Sequence, residues 1–340
     1  MRTVIHHTYG EPAAVLQLTE APQLPPPSAG EVAIRVESRP VHLGDLLGIR
    51  GRYRAPGNQA PVGPDGLRPG TEGMGVIEAV GAGIDPVRGL VTGARVAFFP
   101  ARWTWSDKVL APARFVTLVP DDIPDAAAAQ LHVAPLTAAL LVRAVQNSGS
   151  RVGDVVALSA AGSLVARLTA AVLLELGYVP IGIVRSDATM VALSMAVPQM
   201  GFVSTARADW ARRLCARARG RPVSSALDAV GGAVGSKLAS LLADGGRLVS
   251  YGDLANAPLV LPALAFSARG QSVAGVSVGR WSRLPDAVRA EDIDSSIRLA
   301  RALPALFKAA AVYGLQDVAR AVEHAERPGR TGAVLLAAVP

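Results

Sequence analysis

The chain has 340 residues, of which 50% are hydrophobic and 18% are charged. This length gives room for two domains with full hydrophobic cores, and this composition excludes intrinsic disorder. No run of about 18 apolar residues is present, and the N-terminal stretch MRTVIHHTYG lacks the apolar core of a signal peptide. We therefore expect a soluble, cytoplasmic protein.

The formal net charge is +7, and nearly all of the basic residues are arginine. A positive balance favours anionic partners such as NADPH, coenzyme A thioesters or nucleic acid. The densest arginine cluster, Arg207 to Arg221, is interpreted as a solvated helix face rather than a nucleic-acid site. The single cysteine, Cys215, excludes an intrachain disulfide and a cysteine-cluster metal site.

The first third of the chain predicts a mainly β region. From Glu31 to Ser38, Val32, Ile34 and Val36 alternate with mostly charged residues, which indicates a half-buried strand. The Gly- and Pro-rich segment Gly44 to Gly70 is predicted to be a long loop, of the kind that often forms a lid or a pocket wall. Further short strands are predicted at Thr3–His6, Leu16–Thr19, Gly73–Val80, Ala94–Phe99, Ser106–Ala111 and Phe115–Leu118.

Strands alternate with helical patterns in the middle of the chain, which predicts a parallel sheet covered by helices on both faces. Before it, Asp125 is predicted to cap an alanine-rich helix that Pro135 interrupts or restarts. After it, helices are predicted at Ile297–Ala309 and Leu315–Ala325, and a strand at Ala333–Ala337 is predicted to return to the first domain. The strands of the sheet are predicted at residues 155–158, 179–184, 201–204, 223–228 and 246–250, with a further one at Gln271–Val278.

The stretch from Asp154 to Arg185 predicts a strand, a turn of small residues, a helix and a second strand. The helical spacing begins at Leu164, and Gly177 lies where a glycine typically follows the end of a helix. Such a βαβ unit has a right-handed crossover. Its turn brings a pyrophosphate close to backbone N–H groups at a helix N-terminus, where the helix dipole also favours an anion.

This turn lacks the G-x-G-x-x-G pattern of dinucleotide-binding proteins, and Gly162 is its only glycine. Ala160, Ser163 and Ala166 are small residues at the positions where bulk would block a ligand or the contact between helix and strand. Alanine and serine permit close approach if φ stays negative, whereas the methyl group of Ala166 could push the helix off the strand. The turn therefore either binds a dinucleotide through Ala160, Gly162, Ser163 and Val165, or it is a purely structural crossover.

Arg185 directly follows the second strand of this unit. A cation at this position suits the 2′-phosphate of NADP(H), so the sequence favours NADPH over NADH as the cofactor. A solvated charge at a strand end is the structural alternative.

A family resemblance is spread over nearly the whole chain. It rests on the order and spacing of VHLGDLLGIRGRY (41–53), RPGTEGMGVIEAVG (68–81), WSDKVLAPAR (105–114), APLTA (134–138), LDAVGG (227–232), DGGRLVSYGD (244–253) and the final GRTGAVLL. The chain resembles the medium-chain dehydrogenase/reductase superfamily, most closely its zinc-independent quinone oxidoreductases and trans-2-enoyl thioester reductases. The resemblance implies an α/β protein with a GroES-like, mainly β catalytic domain (residues 1–121 and 293–340). It also implies a Rossmann domain with a doubly wound parallel sheet (residues 122–292).

The resemblance also concerns metal binding. Zinc-dependent relatives hold the metal with a cysteine, a histidine in a Gly-His-Glu motif and a second thiolate, which suits tetrahedral zinc. In this sequence Thr71 has the histidine's place in Gly70-Thr71-Glu72, and His42 has the cysteine's place. The four-cysteine structural lobe is missing, and one histidine does not make a site. We predict that the protein binds no metal.

The resemblance to the reductases implies hydride transfer from NADPH to the β-carbon of an α,β-unsaturated thioester. Their G-x-Y tyrosine corresponds to Tyr53 in Gly51-Arg52-Tyr53. A phenol suits this role because its pKa of about 10 lets it stabilise a developing enolate without ionising spontaneously. Arg50, Arg52 and Arg54 would attract the phosphates of coenzyme A or of a carrier. Simple surface packing is the alternative for this loop.

The resemblance places further residues at the cofactor. Thr137 would lie near the nicotinamide, Tyr251 and Gly252 would line the cofactor groove, and Ser186 would assist Arg185 at the 2′-phosphate. In each case an ordinary helix or strand-end residue is the alternative.

The sequence departs from the reductase pattern near the expected pocket. His42 and Ala134 stand where the reductases have asparagine, and Gly275-Val276-Ser277 replaces a segment that carries a pocket aromatic residue. The pocket is therefore expected to have a different shape. His42 is either a proton donor or part of the pocket wall.

The sequence thus predicts an NADPH-dependent reductase of an activated C=C bond in a 2-enoyl thioester or related enone. The alternative in the same class is an NADPH-dependent quinone oxidoreductase, for which Tyr53 would matter less. The alternative in another class is a non-catalytic, crystallin-like or nucleic-acid-binding descendant. If the strand Gln271–Val278 lies at the sheet edge, pairing with the same strand of a second subunit would form a homodimer.

Overall fold

A computed structural model of the chain describes residues 1–53 and 62–338. The chain forms two compact units. The first unit consists of residues 1–133 and 284–340, and the second unit consists of residues 134–283. The observed first unit is therefore longer at both junctions than the domain predicted from the sequence.

The N-terminal part of the first unit is mainly β, as predicted. A helix that the sequence did not indicate lies inside the Gly- and Pro-rich segment, because burial of Leu46 and Ile49 on one helical face stabilises it. The elements are β1 (Arg2–Ile5), α1 (Pro12–Val15), β2 (Gln17–Glu20), β3 (Glu31–Pro40), α2 (Leu43–Ile49), β4 (Gly73–Val80), β5 (Arg95–Phe98), β6 (Lys108–Pro112), β7 (Val116–Leu118) and α3 (Asp125–Ala128).

The second unit carries the predicted alternation of strands and helices. Its elements are α4 (Val133–Gln146), which begins at the last residue of the first unit, β8 (Val155–Leu158), α5 (Leu164–Glu175), β9 (Val179–Val184), α6 (Asp187–Ala196), β10 (Gly201–Ser204), α7 (Trp210–Ala218), β11 (Val223–Asp228), α8 (Gly232–Leu241), β12 (Arg247–Ser250), α9 (Ala263–Ala268) and β13 (Ser272–Gly275). Within the described residues, the strands form one parallel sheet in the order β10-β9-β8-β11-β12-β13. This arrangement confirms the Rossmann fold and places β13 at an edge.

One helix assignment near residue 130 needs correction. Asp125 is the first residue of α3 rather than its cap, and its carboxylate forms an ion pair with Arg95. Pro135 is the third residue of α4, in the first turn, where a helix has no intrahelical partner for the backbone N–H. Proline is accommodated there, and the new helix that starts around Pro135 agrees with the predicted restart.

The C-terminal segment returns to the first unit. It contains α10 (Asp286–Ala302), β14 (Ala309–Gly314), α11 (Val318–Glu326) and β15 (Ala333–Ala337). The predicted helix Ile297–Ala309 is wrong in its second half, since Leu303 and the turn at Pro304 separate α10 from a strand. In the part of the first unit that the structure describes, one sheet has the order β14-β15-β3-β4-β5-β7, with β6 also paired to β3.

The cores follow from side-chain alternation along the strands. In β8, Val156 and Leu158 face the core under α5, whereas Val155 and Ala157 face the core under α7 and α8. The second unit is therefore covered on both faces, as a doubly wound sheet requires. Among the described residues, no helix is both long and apolar enough to span a bilayer.

Gly182, in the middle of β9, leaves room for two neighbouring side chains in the core of the second unit. A Cβ at this position would lie 2.6 Å from Cδ1 of Phe202 and 2.7 Å from Cβ of Ala161. We expect Gly182→Ala to lower the free energy of unfolding by about 1–3 kcal/mol through overpacking, measured by urea denaturation.

The matched control is Gly201→Ala in β10, where a Cβ would make only ordinary contacts, 3.5 Å from Cδ of Arg217 and 3.8 Å from Cγ1 of Ile181. This variant should keep the wild-type unfolding midpoint or rise slightly. Equal midpoints for the two variants would contradict the packing role of Gly182.

Candidate functional site

The turn between β8 and α5 is fixed by a buried carboxylate on the neighbouring strand. The Ser159 hydroxyl donates to Oδ1 of Asp228 at 2.6 Å and accepts the backbone N–H of Ala229 at 2.8 Å. Asp228 also accepts the N–H groups of Val230 (3.0 Å) and Gly231 (2.8 Å). The carboxyl ends of β8 and β11 are therefore locked side by side. Sequence reasoning missed this contact, although Asp228 lies in the LDAVGG segment.

The turn itself differs from expectation in one torsion angle. Ala160 has φ of 49°, in the left-handed region, whereas close approach was expected to need a negative φ. Holding an alanine there costs about 1–2 kcal/mol. Ser163 then caps α5, and its hydroxyl accepts the backbone N–H of Ala166 at 3.2 Å.

Ala166 does not push the helix off the strand. Its side chain is buried in the core cluster that joins α5 to the sheet. The neighbouring Val165 is partly buried against the same cluster. The missing side chain of Gly182 gives Ala161 the space it needs on the strand side.

The exposed part of the turn faces the start of α6. A Cβ on Gly162 would lie 3.8 Å from Cγ2 of Thr189, and Gly162 and Ser163 are both exposed. Ser186 caps α6, because its hydroxyl accepts the backbone N–H of Thr189 at 3.2 Å. Two capped helix N-termini and an exposed glycine thus border one surface, an arrangement suited to an anion.

Arg185 and Arg207 supply the positive charge of this surface. Arg185 is exposed and has no ion-pair partner among the described residues. Arg207, which follows β10, binds Asp187 with 3.0 Å between Nε and Oδ1. Arg207 was assigned to a solvated cluster from the sequence, because its proximity to α6 depends on the pairing of β9 with β10.

Tyr251 and Gly252 lie at the carboxyl end of β12, and Thr137 lies buried on α4. Burial, and then the charge of Asp228, raise the pKa of the Tyr251 hydroxyl. A side-chain contact with Ser163 opposes this upward shift. A Cβ on Gly252 would lie 2.7 Å from the carbonyl oxygen of Ala229, so glycine is needed there for packing of the two strand ends.

The first unit contains a second group of polar residues, centred on Glu72. The Glu72 side chain is fully buried, and its Oε2 is paired with Nε2 of His42, the residue that caps α2. Its Oε1 accepts the backbone N–H groups of His132 at 2.8 Å and Val133 at 3.0 Å. Asp45 accepts the backbone N–H of His42 at 3.3 Å.

This environment shifts several pKa values. Burial lowers the pKa of His42, but the charge and hydrogen bond of Glu72 and the charge of Asp45 outweigh it, so the net shift is upward. Burial raises the pKa of Asp45 to about 6. Burial lowers the pKa of His132 to about 4, so this ring is neutral, and its Nε2 lies 3.0 Å from Oγ1 of Thr117.

Tyr53 lies close to the same group. Its side chain is 72% exposed, while its hydroxyl packs against Gly44, where a Cβ would lie 3.3 Å away. Partial burial and then the charge of Asp45 raise its pKa, so the phenol remains protonated at neutral pH. The structure therefore brings Tyr53, Asp45 and His42 together within the first unit.

The arginines beside Tyr53 do not all serve as free cations. Arg50 forms ion pairs with Glu11 and Glu326 and thereby ties three distant segments together. Arg54 lies outside the described residues. Around Glu72, and throughout residues 1–53 and 62–338, no group of three or more His, Cys, Asp and Glu side chains is placed to hold a metal ion.

Comparison with known proteins gives matches over both units. Residues 28–121 match the family model of the alcohol dehydrogenase GroES-like domain. The mitochondrial enoyl-[acyl-carrier-protein] reductase of Xenopus tropicalis is 24% identical over 348 residues, which cover 96% of this chain and 92% of that protein.

Two solved structures have the same fold over their whole length. A Bacillus thuringiensis protein described as an NADPH:quinone reductase is 27% identical, with a TM-score of 0.86 and 99% of each chain covered. The Escherichia coli quinone oxidoreductase, solved in complex with NADPH, is 22% identical, with a TM-score of 0.84 and 99% of this chain and 100% of that chain covered.

Proposed function

The chain belongs to the medium-chain dehydrogenase/reductase superfamily, and on this premise we propose that it is an NADPH-dependent oxidoreductase. Its substrate is an activated C=C bond in a 2-enoyl thioester or a related enone. The observation that carries the substrate class is the group formed by Tyr53, Asp45 and His42, which supplies two proton-bearing side chains at one place. The enoyl reductases among the relatives support the same class.

The cofactor half of the proposal rests on the second unit. Gly162 and Ser163 expose the N-terminus of α5. Beside the capped start of α6, the guanidinium of Arg185 has no ion-pair partner among residues 1–53 and 62–338. The exposed turn suits a pyrophosphate and Arg185 suits a 2′-phosphate, while Ser186 holds the start of α6. Thr137, Tyr251 and Gly252 are proposed to border the nicotinamide side.

Bound NADPH supplies a hydride to the β-carbon of the substrate. The electrons of the C=C bond then move toward the carbonyl oxygen, which becomes an enolate, and a proton must reach the α-carbon. Tyr53 is protonated at neutral pH and stabilises the enolate oxygen by donating a hydrogen bond. His42 is a proton donor within the same group.

A quinone is the second candidate substrate. The solved structures described as quinone reductases favour it, and a quinone needs little more than a hydride donor and a proton for its oxygen. A non-catalytic descendant is the third candidate. It has less support, because Arg185 stays exposed and unpaired among the described residues, and His42 is held by a buried carboxylate.

The cofactor proposal predicts the effect of Arg185→Ala on nucleotide binding. Loss of a charge-assisted contact worth about 1.5–3 kcal/mol should weaken NADPH binding roughly ten- to hundredfold. NADH, which lacks the 2′-phosphate, should bind wild type and variant equally. The measurement is calorimetric titration of both nucleotides.

Arg221→Ala is the control, because this exposed arginine precedes β11 at the opposite end of the sheet. It should leave both affinities unchanged. No binding of either nucleotide to the wild type would reject the oxidoreductase proposal and favour the non-catalytic alternative.

The substrate proposal predicts a selective effect of Tyr53→Phe. With a short 2-enoyl coenzyme A thioester, kcat/KM should fall by about 10²-fold, because the variant loses the hydrogen bond that stabilises the enolate oxygen. With a benzoquinone the fall should be much smaller. The rates are followed by oxidation of NADPH.

Tyr313→Phe is the matched control, since this hydroxyl contacts His324 at 3.0 Å and not a member of the Tyr53 group. It should retain wild-type rates with both substrates. A Tyr53→Phe enzyme as active on the thioester as the wild type would exclude the proposed role of Tyr53.

We also propose that the protein is a homodimer formed through β13. This strand lies at a sheet edge, and Val273 on it is 41% exposed. An exposed edge of this kind is open to pairing with a second chain. Val273→Lys should convert the dimer to a monomer in sedimentation at micromolar concentration.

Val312→Lys on the edge strand β14 of the other sheet is the control. Val312 is 58% exposed, and its replacement should leave the dimer intact. A monomeric wild type would reject the proposal.

A further inference from the structure

Glu72 contacts His42 but has no role in the reaction proposed above. Its carboxylate is fully buried, and both oxygens are occupied. Oε1 accepts two backbone N–H groups at the start of α4, and only Oε2 is left for His42. The N–H groups at a helix start have no partners within the helix, so they are available to hold a carboxylate in one orientation.

We propose that Glu72 is a positioning residue that holds His42 as an imidazolium and thereby makes it the proton donor of the reduction. This proposal rests on the proposed function. It goes further by assigning a role to a residue outside the set of predicted site residues and by explaining how a histidine in place of asparagine gains a catalytic use.

Glu72 engages one of the two ring nitrogens of His42, which leaves the other for the proposed step. Nε2 faces Glu72 and keeps its proton in the hydrogen bond to the carboxylate. The proton that leaves is therefore the one on Nδ1, and it forms the new C–H bond at the α-carbon of the enolate. His42 is neutral after this step and regains a proton from solvent, which its 22% exposed side chain can contact.

The charges that face His42 decide whether it is protonated before the step. Glu72 and Asp45 raise its pKa, while burial and the Arg330 guanidinium lower it. Asp45 contributes a charge only above its own pKa of about 6, and His132 on the far side of Glu72 is neutral because its pKa is about 4. Tyr53 is protonated as well. Glu72 is therefore the principal source of the positive shift at His42.

Protonation of His42 is coupled to the stability of the fold. Because the pKa of His42 is raised on folding, protonation of His42 contributes its full stabilisation just below the unfolded-state histidine pKa of about 6.5. That contribution is lost as pH rises through the folded pKa. The proton-donating form is lost over the same pH range. Glu72→Gln keeps an oxygen for the two N–H groups but removes the charge, so the pKa of His42 should fall.

The direct test is a titration of the histidine ring protons by NMR on the ligand-free full-length protein. The five histidines are distinguished by the loss of one signal in His42→Asn. The His42 midpoint should lie above 6.5 in the wild type and fall by about one pH unit or more in Glu72→Gln. Glu323→Gln, on the exposed face of α11, is the matched control and should leave it unchanged.

An unchanged midpoint in Glu72→Gln would overturn the proposal. A His42 titration midpoint at or below 6.5 in the wild type would also overturn it. This measurement does not require Glu72→Gln to fold. Neither arm depends on turnover, so both remain decisive if the substrate class is wrong.

The kinetic test compares kcat/KM with pH for the same variants. In the wild type kcat/KM should decline as pH rises through the His42 midpoint, and in Glu72→Gln the decline should move to lower pH by the displacement seen in the titration. The affinity for NADPH should not change. Turnover with an unmoved pH profile would overturn the positioning role. If the His42 midpoint shifts but the protein reduces no enone or quinone, both proton donation by His42 and the proposed function are overturned. If the midpoint shifts, the protein turns over substrate and the pH profile of kcat/KM moves, both are supported.

Discussion

A hydrogen bond between two buried side chains sets the carboxyl edge of the parallel sheet. Asp228 accepts the Ser159 hydroxyl and two backbone N–H groups, and a buried carboxylate without such donors would be strongly unfavourable. The turn that carries Gly162 begins at Ser159, and the backbone N–H of Tyr251 donates to the carbonyl of Asp228. The exposed turn and the end of β12 therefore depend on one residue for their positions.

The first unit uses a buried carboxylate in a different way. Asp228 is satisfied entirely by a hydroxyl and by backbone groups, so it serves the framework. Glu72 divides its two oxygens between the backbone and a side chain that titrates. A carboxylate that is rigid on one side and faces an imidazole on the other can transmit charge to that imidazole without moving, which distinguishes a site residue from a framework residue.

Helices and strands that depend on local periodicity were predicted from the sequence, whereas those that depend on contacts between distant residues were missed. The bounds of β8, α5 and β9 follow from their apolar patterns and from Gly177. The helix α2 was missed because Gly44 and Gly48 obscure a pattern whose stability comes from burial of Leu46 and Ile49. The predicted helix Ile297–Ala309 ran past the end of α10 to the first residue of β14, because alanine-rich sequence favours a helix, whereas pairing with β15 makes this segment a strand.

The candidate site shows the same division. Tyr53 and His42 were found through a family resemblance, and the exposed turn and Arg185 through their place in the βαβ unit. The left-handed φ of Ala160 and the pairing of His42 with Glu72 were not, because neither leaves a local pattern. Residues 42 and 72 meet only after α2 and β4 have packed.

The first unit is built from the two ends of the chain, and this has a consequence for synthesis on the ribosome. β3 pairs with β15, so Pro40 is aligned with Leu335 from the far end of the sequence. The second unit has all of its strands within residues 134–283 and can form its sheet while the rest of the chain is still being made. The first unit must wait for its last strand, and until then the edge of β3 that β15 covers stays open. The order of segments along the chain therefore implies that the first unit completes its fold after the second unit.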